Sequence, residues 1–315
     1  MHLSYLDAFV DTMKLLSGVR LNQTLTNGTM DRLNQLHVKN VYQSLNTEDL
    51  HKALQFILIK AVREDKIQAN HQETPDIIAS IMGYIMIRLL KGTSRLKLLD
   101  VSVGTGNLLI TVMNQLKKAI HCQVSAVGLD IDDTLISVAR NIARLQGQRN
   151  LRLSYQDAVR PFSVDKFDLA ISDLPVGYYP LDKNARSYQL SFSKGHSYAH
   201  YLLIEQAMKH VCPGGFGEFL VPSDLFSITS SKKMLNWLRH NAYLQGMLNL
   251  PRELFANVHA QKAILLLQKH GAKAQQVRRV MIGEFPSFKK PAEFQRFIAE
   301  IVEWEEQDLL KNKSD

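Results

Sequence analysis

From Leu96 onward the chain alternates short apolar segments with amphipathic stretches of helical length. In the clearest stretch, residues 133–146, every third or fourth residue is apolar and Gly147 follows the end. The apolar segments lie at 96–101, 124–129, 151–155, 167–171, 217–221, 244–250 and 263–268. Strands separated by helices of this length predict a parallel sheet covered on both faces. We therefore predict a Rossmann-like, doubly wound α/β fold with a mostly parallel sheet of seven strands.

The residues before this alternating region form a smaller predicted unit. Residues 4–17 and 47–64 carry apolar residues at helical spacing, and a polar, turn-rich segment separates them. The sequence Thr74-Pro75-Asp76 is typical of a helix start, with threonine as the cap and proline at the first helical position. We predict a helical N-terminal domain over residues 1–72 and a main domain over 73–315 that ends in a short helix.

Charge and cysteine content limit the classes of function. The formal net charge is +8 and the pI about 9.3, which favours a polyanionic partner such as nucleic acid. The glutamates of the tail, residues 292–310, fit the solvated face of an amphipathic helix. Cys122 and Cys212 have no CxxC partner and the histidines lack metal-ligand spacing, so we predict no metal site. Because no apolar stretch approaches the length of a bilayer span, we expect a cytoplasmic protein without a membrane segment.

An acidic residue stands at or just after the end of each of the first four predicted strands. These residues are Asp100, Asp130, Asp157 and Asp173. Because ligands of doubly wound sheets bind at the carboxyl ends of the strands, we expect the four side chains at one site. Clustered carboxylates repel one another unless the ligand is cationic or rich in hydrogen-bond donors. S-adenosylmethionine has both properties, whereas the pyrophosphate of a dinucleotide does not suit such a site.

A glycine-rich turn follows the first of these strands. It runs Asp100-Val101-Ser102-Val103-Gly104-Thr105-Gly106-Asn107. Glycines allow the backbone to approach a ligand closely, and the helix that follows offers free N–H groups. A nicotinamide dinucleotide site would need a third glycine where Leu109 stands, and the Gly-Lys-Ser/Thr of a phosphate-binding loop is absent. Taken alone, the turn also fits an ordinary strand-to-helix connection.

With these motifs in this order, the sequence resembles the class I S-adenosylmethionine-dependent methyltransferases. Within that class it is similar to the N6-adenine DNA methylase family. This family includes the modification subunits of type I restriction systems and small stand-alone bacterial relatives of the YtxK type. The resemblance covers roughly residues 47–270. It implies a methyltransferase sheet, S-adenosylmethionine as the cofactor, and methyl transfer to an exocyclic amine of a base, with adenine N6 of DNA placed ahead of RNA.

The resemblance also implies roles for individual residues. Thr74-Pro75 matches the helix-capping pair that touches the methionine end of the cofactor, Asp130 matches the ribose-binding acid, and Asp157 matches the adenine-binding acid. The implied cofactor-binding set is Thr74, Pro75, Asp100, Val103, Gly104, Thr105, Gly106, Asn107, Asp130, Ile131, Asp157, Ala158 and Asp173.

The stretch Asp-Leu-Pro-Val from Asp173 occupies the place of the family's catalytic motif, usually Asn/Asp/Ser-Pro-Pro-aromatic. A carboxylate and a backbone carbonyl that accept the two N–H bonds of the target amine would stabilise the positive charge that develops on its nitrogen. We therefore assign catalytic roles to Asp173 and Pro175. Val176 stands where the family has a stacking aromatic, so Tyr178 or Tyr179 is expected either to supply that ring or to pack the loop.

The loop after this motif carries basic residues that form an electropositive rim suited to phosphates. They are Lys183, Arg186, Lys194, His196 and His200. The segment after Gly271 is short for a separate target-recognition domain, so we expect a specificity subunit, loose recognition, or a substrate other than duplex DNA. Two alternatives stay open: methylation of a protein glutamine amide, and a catalytically silent module that binds cofactor or nucleic acid. The oligomeric state is open.

Overall fold

The computed structural model describes most of the chain and all of the predicted site residues. The described residues are 4–16, 18–19, 26–35, 44–65, 74–163, 165–226, 231–255 and 260–310. Parts of the predicted N-terminal domain, residues 66–72 among them, lie outside the described residues. The boundary between residues 72 and 73 therefore stays a prediction.

The described residues form a mixed α/β fold. Its α-helices are α1 (Tyr5–Leu16), α2 (Asn27–Gln35), α3 (Thr47–Glu64), α4 (Asp76–Leu89), α5 (Asn107–Ile120), α6 (Asp133–Leu145), α7 (Asp182–Ala185), α8 (Ala199–His210), α9 (Ser231–Asn241) and α10 (Pro291–Trp304). Its strands are β1 (Arg95–Asp100), β2 (Gln123–Asp130), β3 (Leu151–Tyr155), β4 (Phe167–Asp173), β5 (Val211–Pro222), β6 (Ala242–Asn249), β7 (Lys262–Lys269) and β8 (Met281–Glu284). No helix in this part of the chain is both long and apolar enough to cross a bilayer.

One sheet with the order β3-β2-β1-β4-β5-β7-β6-β8 contains all of these strands. The strands run parallel except β7, which is antiparallel to both of its neighbours. The strand order reverses between β1 and β4, which pair through Leu98 and Leu169, so this junction is the topological switch point. The predicted doubly wound, mostly parallel fold is confirmed.

The sheet has one strand more than predicted. The short strand β8 pairs with β6 at the edge of the sheet. Its side chains alternate between partial burial and exposure, and Ile282 is 73% exposed. An edge strand of this length carries no long apolar run, so the pattern that identifies central strands does not detect it.

The sheet is covered on both faces because alternate residues of each strand point to opposite sides. Leu98 and Ile171 belong to one buried cluster together with side chains of α1, α3, α4, α5 and α10. Leu99, which follows Leu98, and Ala170, which precedes Ile171, belong to a second cluster with side chains of α8 and α9. The carboxyl ends of β1, β2 and β4 lie at one edge of the sheet and form the candidate site.

Two segments outside the sheet differ from the sequence prediction. Residues 27–35, expected to be turn-rich, form helix α2, which buries no side chain. Glu305, expected on a solvated face, is 3% exposed and forms an ion pair with Arg88 of α4. A partner in a distant part of the chain allows a charged side chain to be buried, and the helical pattern alone does not reveal such a partner.

Glu218 is a buried carboxyl group without a hydrogen-bond partner among the described residues. It lies in β5 between Ile171 and Leu266 of the flanking strands, is fully buried, and has no hydrogen bond to either carboxyl oxygen among the described residues. Burial raises the pKa of this carboxyl well above its usual range. Glu205 of α8 is equally buried but accepts hydrogen bonds from the N–H groups of Gln189 and Leu190.

These two glutamates give a matched test of stability. Because the folded-state pKa of Glu218 is raised, wild-type stability should fall as pH rises above the unfolded value, about 4.3. Glu218→Met removes the unsatisfied group and should raise the free energy of unfolding by about 1–3 kcal/mol, more at pH 8 than at pH 5. Glu205→Met leaves two backbone N–H groups without their acceptor and should lower the free energy of unfolding. Urea unfolding at both pH values measures the difference, and a loss of stability in Glu218→Met would contradict it.

Candidate active site

The first carboxylate of the site is held at the junction of β1 and β4. Asp100 is 1% exposed and accepts a hydrogen bond from the backbone N–H of Ser102 at 3.0 Å. The hydroxyl of Ser172, on β4, donates a hydrogen bond to the Asp100 carboxylate and accepts one from the backbone N–H of Val101. Burial, with a smaller contribution from the nearby charges of Asp130 and Asp173, raises the pKa of Asp100 to about 7. Three of the four predicted acids therefore meet at this junction.

The two glycines of the turn after β1 have different surroundings. Gly104 and Gly106 both have a positive φ, 53° and 86°, a conformation that favours glycine. A Cβ on Gly106 would lie 3.2 Å from Ile110 and 3.3 Å from Ala139, whereas a Cβ on Gly104 would meet no atom within 4 Å. A side chain at Gly106 would therefore crowd α5 and α6, whereas Gly104 borders open space where a ligand can approach the backbone.

Asp130 fixes the shape of this turn from the neighbouring strand. Its Oδ2 accepts the N–H of Gly104 at 2.8 Å, and its Oδ1 accepts the N–H of Asp132 at 3.0 Å. Burial raises the pKa of Asp130, and these backbone bonds lower it in part. Each carboxylate oxygen has a second lone pair, so Asp130 can still accept from a diol. The next residue, Ile131, is 67% exposed.

Thr74 and Asn107 connect helix α4 to the site, in a way that the sequence did not indicate. Helix α4 begins at Asp76 with Pro75 as the N-cap and without a side-chain cap bond, so the predicted capping role of Thr74 is wrong. The hydroxyl of Thr74 instead donates to Asp173 Oδ2 at 2.9 Å. The Asn107 amide donates to the Thr74 carbonyl and to Asp76, which joins α4 to α5.

Asp157 is joined to the loop that follows β4. Its Oδ1 accepts the N–H of Val159, and its Oδ2 accepts the hydroxyl of Tyr179 at 2.6 Å. Burial raises the pKa of Tyr179 to about 12, so the hydroxyl keeps its proton. Because Tyr179 is only 7% exposed, its ring packs the loop and is not available for stacking, contrary to one of the two roles expected for it. Ala158, next to Asp157, is also buried.

Asp173, at the end of β4, lies between three elements. Besides the bond from Thr74, its Oδ1 forms an ion pair with Lys262, the first residue of β7, and its carbonyl accepts the hydroxyl of Ser102 at 2.8 Å. The next residue, Leu174, is buried and donates its N–H to the carbonyl of Leu220. A proline at this position would lack this donor.

A stack of aromatic rings follows Pro175. Tyr178 is 61% exposed, and its ring stacks on Tyr198 with 4.9 Å between centroids and 14° between planes. Tyr198 stacks in turn on His200 at 5.2 Å. A backbone bridge between Tyr178 and Tyr198 fixes the pair. Of the two candidate tyrosines, Tyr178 therefore presents a ring to solvent.

The sequence prediction missed or misplaced three residues of this site. Lys262 and Tyr198 were not predicted, and His200 was assigned to the exposed rim although it is 3% exposed. Neither nitrogen of His200 has a hydrogen bond of ordinary geometry among the described residues. Burial lowers the pKa of His200 to about 4, so the ring is neutral at neutral pH. A lysine directly before an apolar run was the only sequence signal for Lys262.

Comparison with known proteins identifies the family of the chain. The family model for N-6 DNA methylases matches residues 46–306. The chain belongs to the N-6 DNA methylase family.

Three known proteins each match most of this methylase. It is 32% identical over 273 residues to the uncharacterized protein YtxK of Bacillus subtilis (strain 168), covering 87% of this chain and 82% of YtxK. A crystal structure from Listeria monocytogenes, named as a candidate class I S-adenosylmethionine-dependent methyltransferase, has 36% identity and a TM-score of 0.83. It covers 96% of this chain and 92% of the other. A type I modification subunit from Vibrio vulnificus YJ016 shares the fold, with a TM-score of 0.66 at 16% identity over 96% of this chain and 65% of that one.

The methylase is an S-adenosylmethionine-dependent enzyme, and its residues fit that cofactor. The cofactor supplies a methyl group bonded to a cationic sulfonium. Burial disfavours the ionised form of Asp100 and so raises its pKa. A cationic group beside Asp100 is favoured because its positive charge stabilises the ionised carboxylate. The open side of Gly104 leaves room for the ligand. The described residues contain no group of three His, Cys, Asp or Glu side chains placed to hold a metal.

Two glycines with the same backbone conformation test the cofactor site. Gly104 and Gly147 both have positive φ, 53° and 67°, and both border open space. Gly104→Trp should abolish S-adenosylmethionine binding, since the indole fills the space beside the turn. Gly147→Trp, after helix α6, introduces similar backbone strain and should leave binding unchanged. Isothermal titration calorimetry measures both, and equal effects of the two substitutions would contradict the location of the site.

The pKa of Asp100 predicts a pH-dependent affinity. Since a bound cation favours the ionised carboxylate, binding below about pH 7 should release a proton, and the Kd should fall by up to roughly tenfold per pH unit as pH rises toward 7. Above that value the Kd should level off. Asp100→Asn should remove the dependence and weaken binding at pH 7.5. Calorimetry between about pH 5.5 and 7.5 tests this, with Asp165→Asn, in the loop before β4, as the control.

Proposed function

We propose that this methylase transfers the methyl group to an exocyclic amine of a nucleic-acid base, with adenine N6 of DNA as the acceptor. The observation that carries the proposal is the position of Asp173. Its carboxylate stands at the carboxyl end of β4, 19% exposed, and Ser102 of the cofactor turn donates to its carbonyl. The acceptor carboxylate and the predicted cofactor loop thus share one edge of the sheet.

Asp173 suits the chemistry of a weakly nucleophilic amine. The lone pair of adenine N6 is delocalised into the ring, and positive charge builds on the nitrogen as the methyl group arrives. A fixed carboxylate that accepts an N–H bond of this nitrogen stabilises the charge without reorganisation. Thr74 and Lys262 each occupy one oxygen of Asp173, and a second lone pair on each remains for the acceptor.

The aromatic pair supports a base as the acceptor. Tyr178 offers an exposed ring already stacked on Tyr198, and stacking of a base on an aromatic ring contributes about 1–3 kcal/mol. A base in duplex DNA would first have to leave the helix. The exposed Lys183, Arg186 and Lys194 lie on the same loop and are suited to phosphates. Part of the proposal is that a specificity subunit narrows the target sequence without being needed for methyl transfer itself, and that the enzyme works in the cytoplasm.

Nucleoside analysis tests the proposal. The protein is expressed in a host without adenine methylation, and digested DNA and RNA are measured for N6-methyladenine by mass spectrometry. We expect the modified base in DNA, and a loss of about a hundredfold or more with Asp173→Ala. Asp173→Asn keeps an acceptor oxygen and should retain more activity. Asp165→Ala removes a carboxylate from the exposed ion pair with Lys97 and should behave as wild type.

The other outcomes separate the alternatives. N6-methyladenine in RNA alone would change the substrate class. Methylated glutamine in cellular protein, with neither nucleic acid modified, would favour the amide alternative. Binding of S-adenosylmethionine without any methylated product would favour a silent module, and unchanged activity in Asp173→Ala would contradict the role of this residue.

A further inference from the structure

Lys262 places a cation directly on the acceptor carboxylate. Because β7 is antiparallel to β5, its first residue lies at the edge of the sheet where β4 and β5 end. From that position the Lys262 ammonium pairs with Asp173 Oδ1 and donates a hydrogen bond to it. The two side chains are 24% and 19% exposed, so the pair borders the site and remains within reach of a ligand.

Among the described residues, Lys262 has more N–H donors than the one that it gives to Asp173. Asp173 Oδ2 is bonded to Thr74, so the carboxylate is held from two sides. His200 lies close enough for the charge of Lys262 to act on it, and its buried ring nitrogens have no partner of ordinary geometry among the described residues. An ammonium has three N–H donors, and Asp173 takes one of those of Lys262.

The pair therefore offers an acceptor and a donor side by side. Asp173 Oδ1 can accept an N–H bond, and Lys262 can donate to an atom next to that nitrogen. Adenine carries this arrangement in its N6–H group and the lone pair of ring nitrogen N1. A simple alkyl amine or a guanidinium has the N–H group but lacks the neighbouring lone pair.

We infer that Lys262 is a specificity-determining residue of the acceptor site, which recognises the ring nitrogen beside the target amine while Asp173 binds the amine. The inference rests on the proposed function and deepens it. A site that hydrogen-bonds a substrate rejects an analogue lacking that group, because its own polar group is left unpaired. A hydrogen bond donated to N1 also withdraws electron density from N6, which makes the amine a weaker nucleophile. Lys262 should therefore contribute mainly to substrate binding and selection, and less to the rate of methyl transfer in the bound complex.

Adenine analogues test the inference at the level of one atom. The substrates are single-stranded oligonucleotides of otherwise mixed sequence with one adenine, one 1-deazaadenine, which lacks N1 but keeps the amine, or one 7-deazaadenine as control. Wild type should lose roughly tenfold to a hundredfold in kcat/KM on 1-deazaadenine, mostly through KM, as expected for a hydrogen bond to a charged group. The 7-deazaadenine substrate should react like adenine.

Variants assign the effect to Lys262. Lys262→Met should lose the same factor on adenine and no longer distinguish adenine from 1-deazaadenine. Lys262→Arg keeps donors and should retain part of the distinction. Lys97→Met removes the lysine that pairs with Asp165, just before β4 and at the opposite end of that strand from Asp173. This variant should match wild type. Calorimetry with S-adenosylmethionine confirms that each variant is folded.

Three results would overturn the inference. If Lys262→Met still penalised 1-deazaadenine, another group would read N1. If Lys262→Met methylated adenine faster than wild type, the lysine would block Asp173 and would not serve the substrate. If wild type bound the cofactor but methylated none of the oligonucleotides, the proposed function itself would fail and the inference with it, so the two failures are distinguishable.

Discussion

Carboxylates at one edge of the sheet lose contact with water and so need hydrogen-bond donors, which the surrounding loops supply. The acids themselves are Asp100, Asp130, Asp157 and Asp173, and each is bonded to donors from a neighbouring element. Backbone N–H groups of the turns hold Asp100 and Asp130. Hydroxyl groups and one ammonium hold the other two. Even so, burial raises the pKa of Asp100 to about 7, so the free site retains an electrostatic preference for a cationic ligand.

The same bonds connect the cofactor side of the site to the acceptor side. Tyr179 belongs to the acceptor loop but donates to Asp157, and Ser102 belongs to the glycine turn but donates to the carbonyl of Asp173. A shift in either loop would therefore strain the other. Leu174 adds a third attachment, because its backbone N–H donates to the carbonyl of Leu220 in the adjacent strand. A proline at this position could not make this hydrogen bond.

The predictions from the sequence succeeded where a property is local or periodic. Strand and helix positions follow from apolar spacing, and the carboxyl ends of parallel strands must lie at one edge, so the convergence of Asp100, Asp130 and Asp173 was foreseeable. Helix α2 and strand β8 were not, since the first buries no side chain and the second is a short edge strand. Thr74 looked like a cap because the local pattern matches one, but a distant carboxylate takes its hydroxyl.

The sequence by itself determined the fold class, the cofactor and the acidic strand ends, because each rests on residues close together in the chain or on their repeating order. The tertiary structure decided which side chains face the acceptor. Asp173 and Lys262 meet through an antiparallel strand that enters the sheet from the opposite direction. Tyr178 and Tyr179 are adjacent in sequence, yet one is exposed and the other buried. Such differences depend on strand order and packing, which bring together residues far apart in the chain.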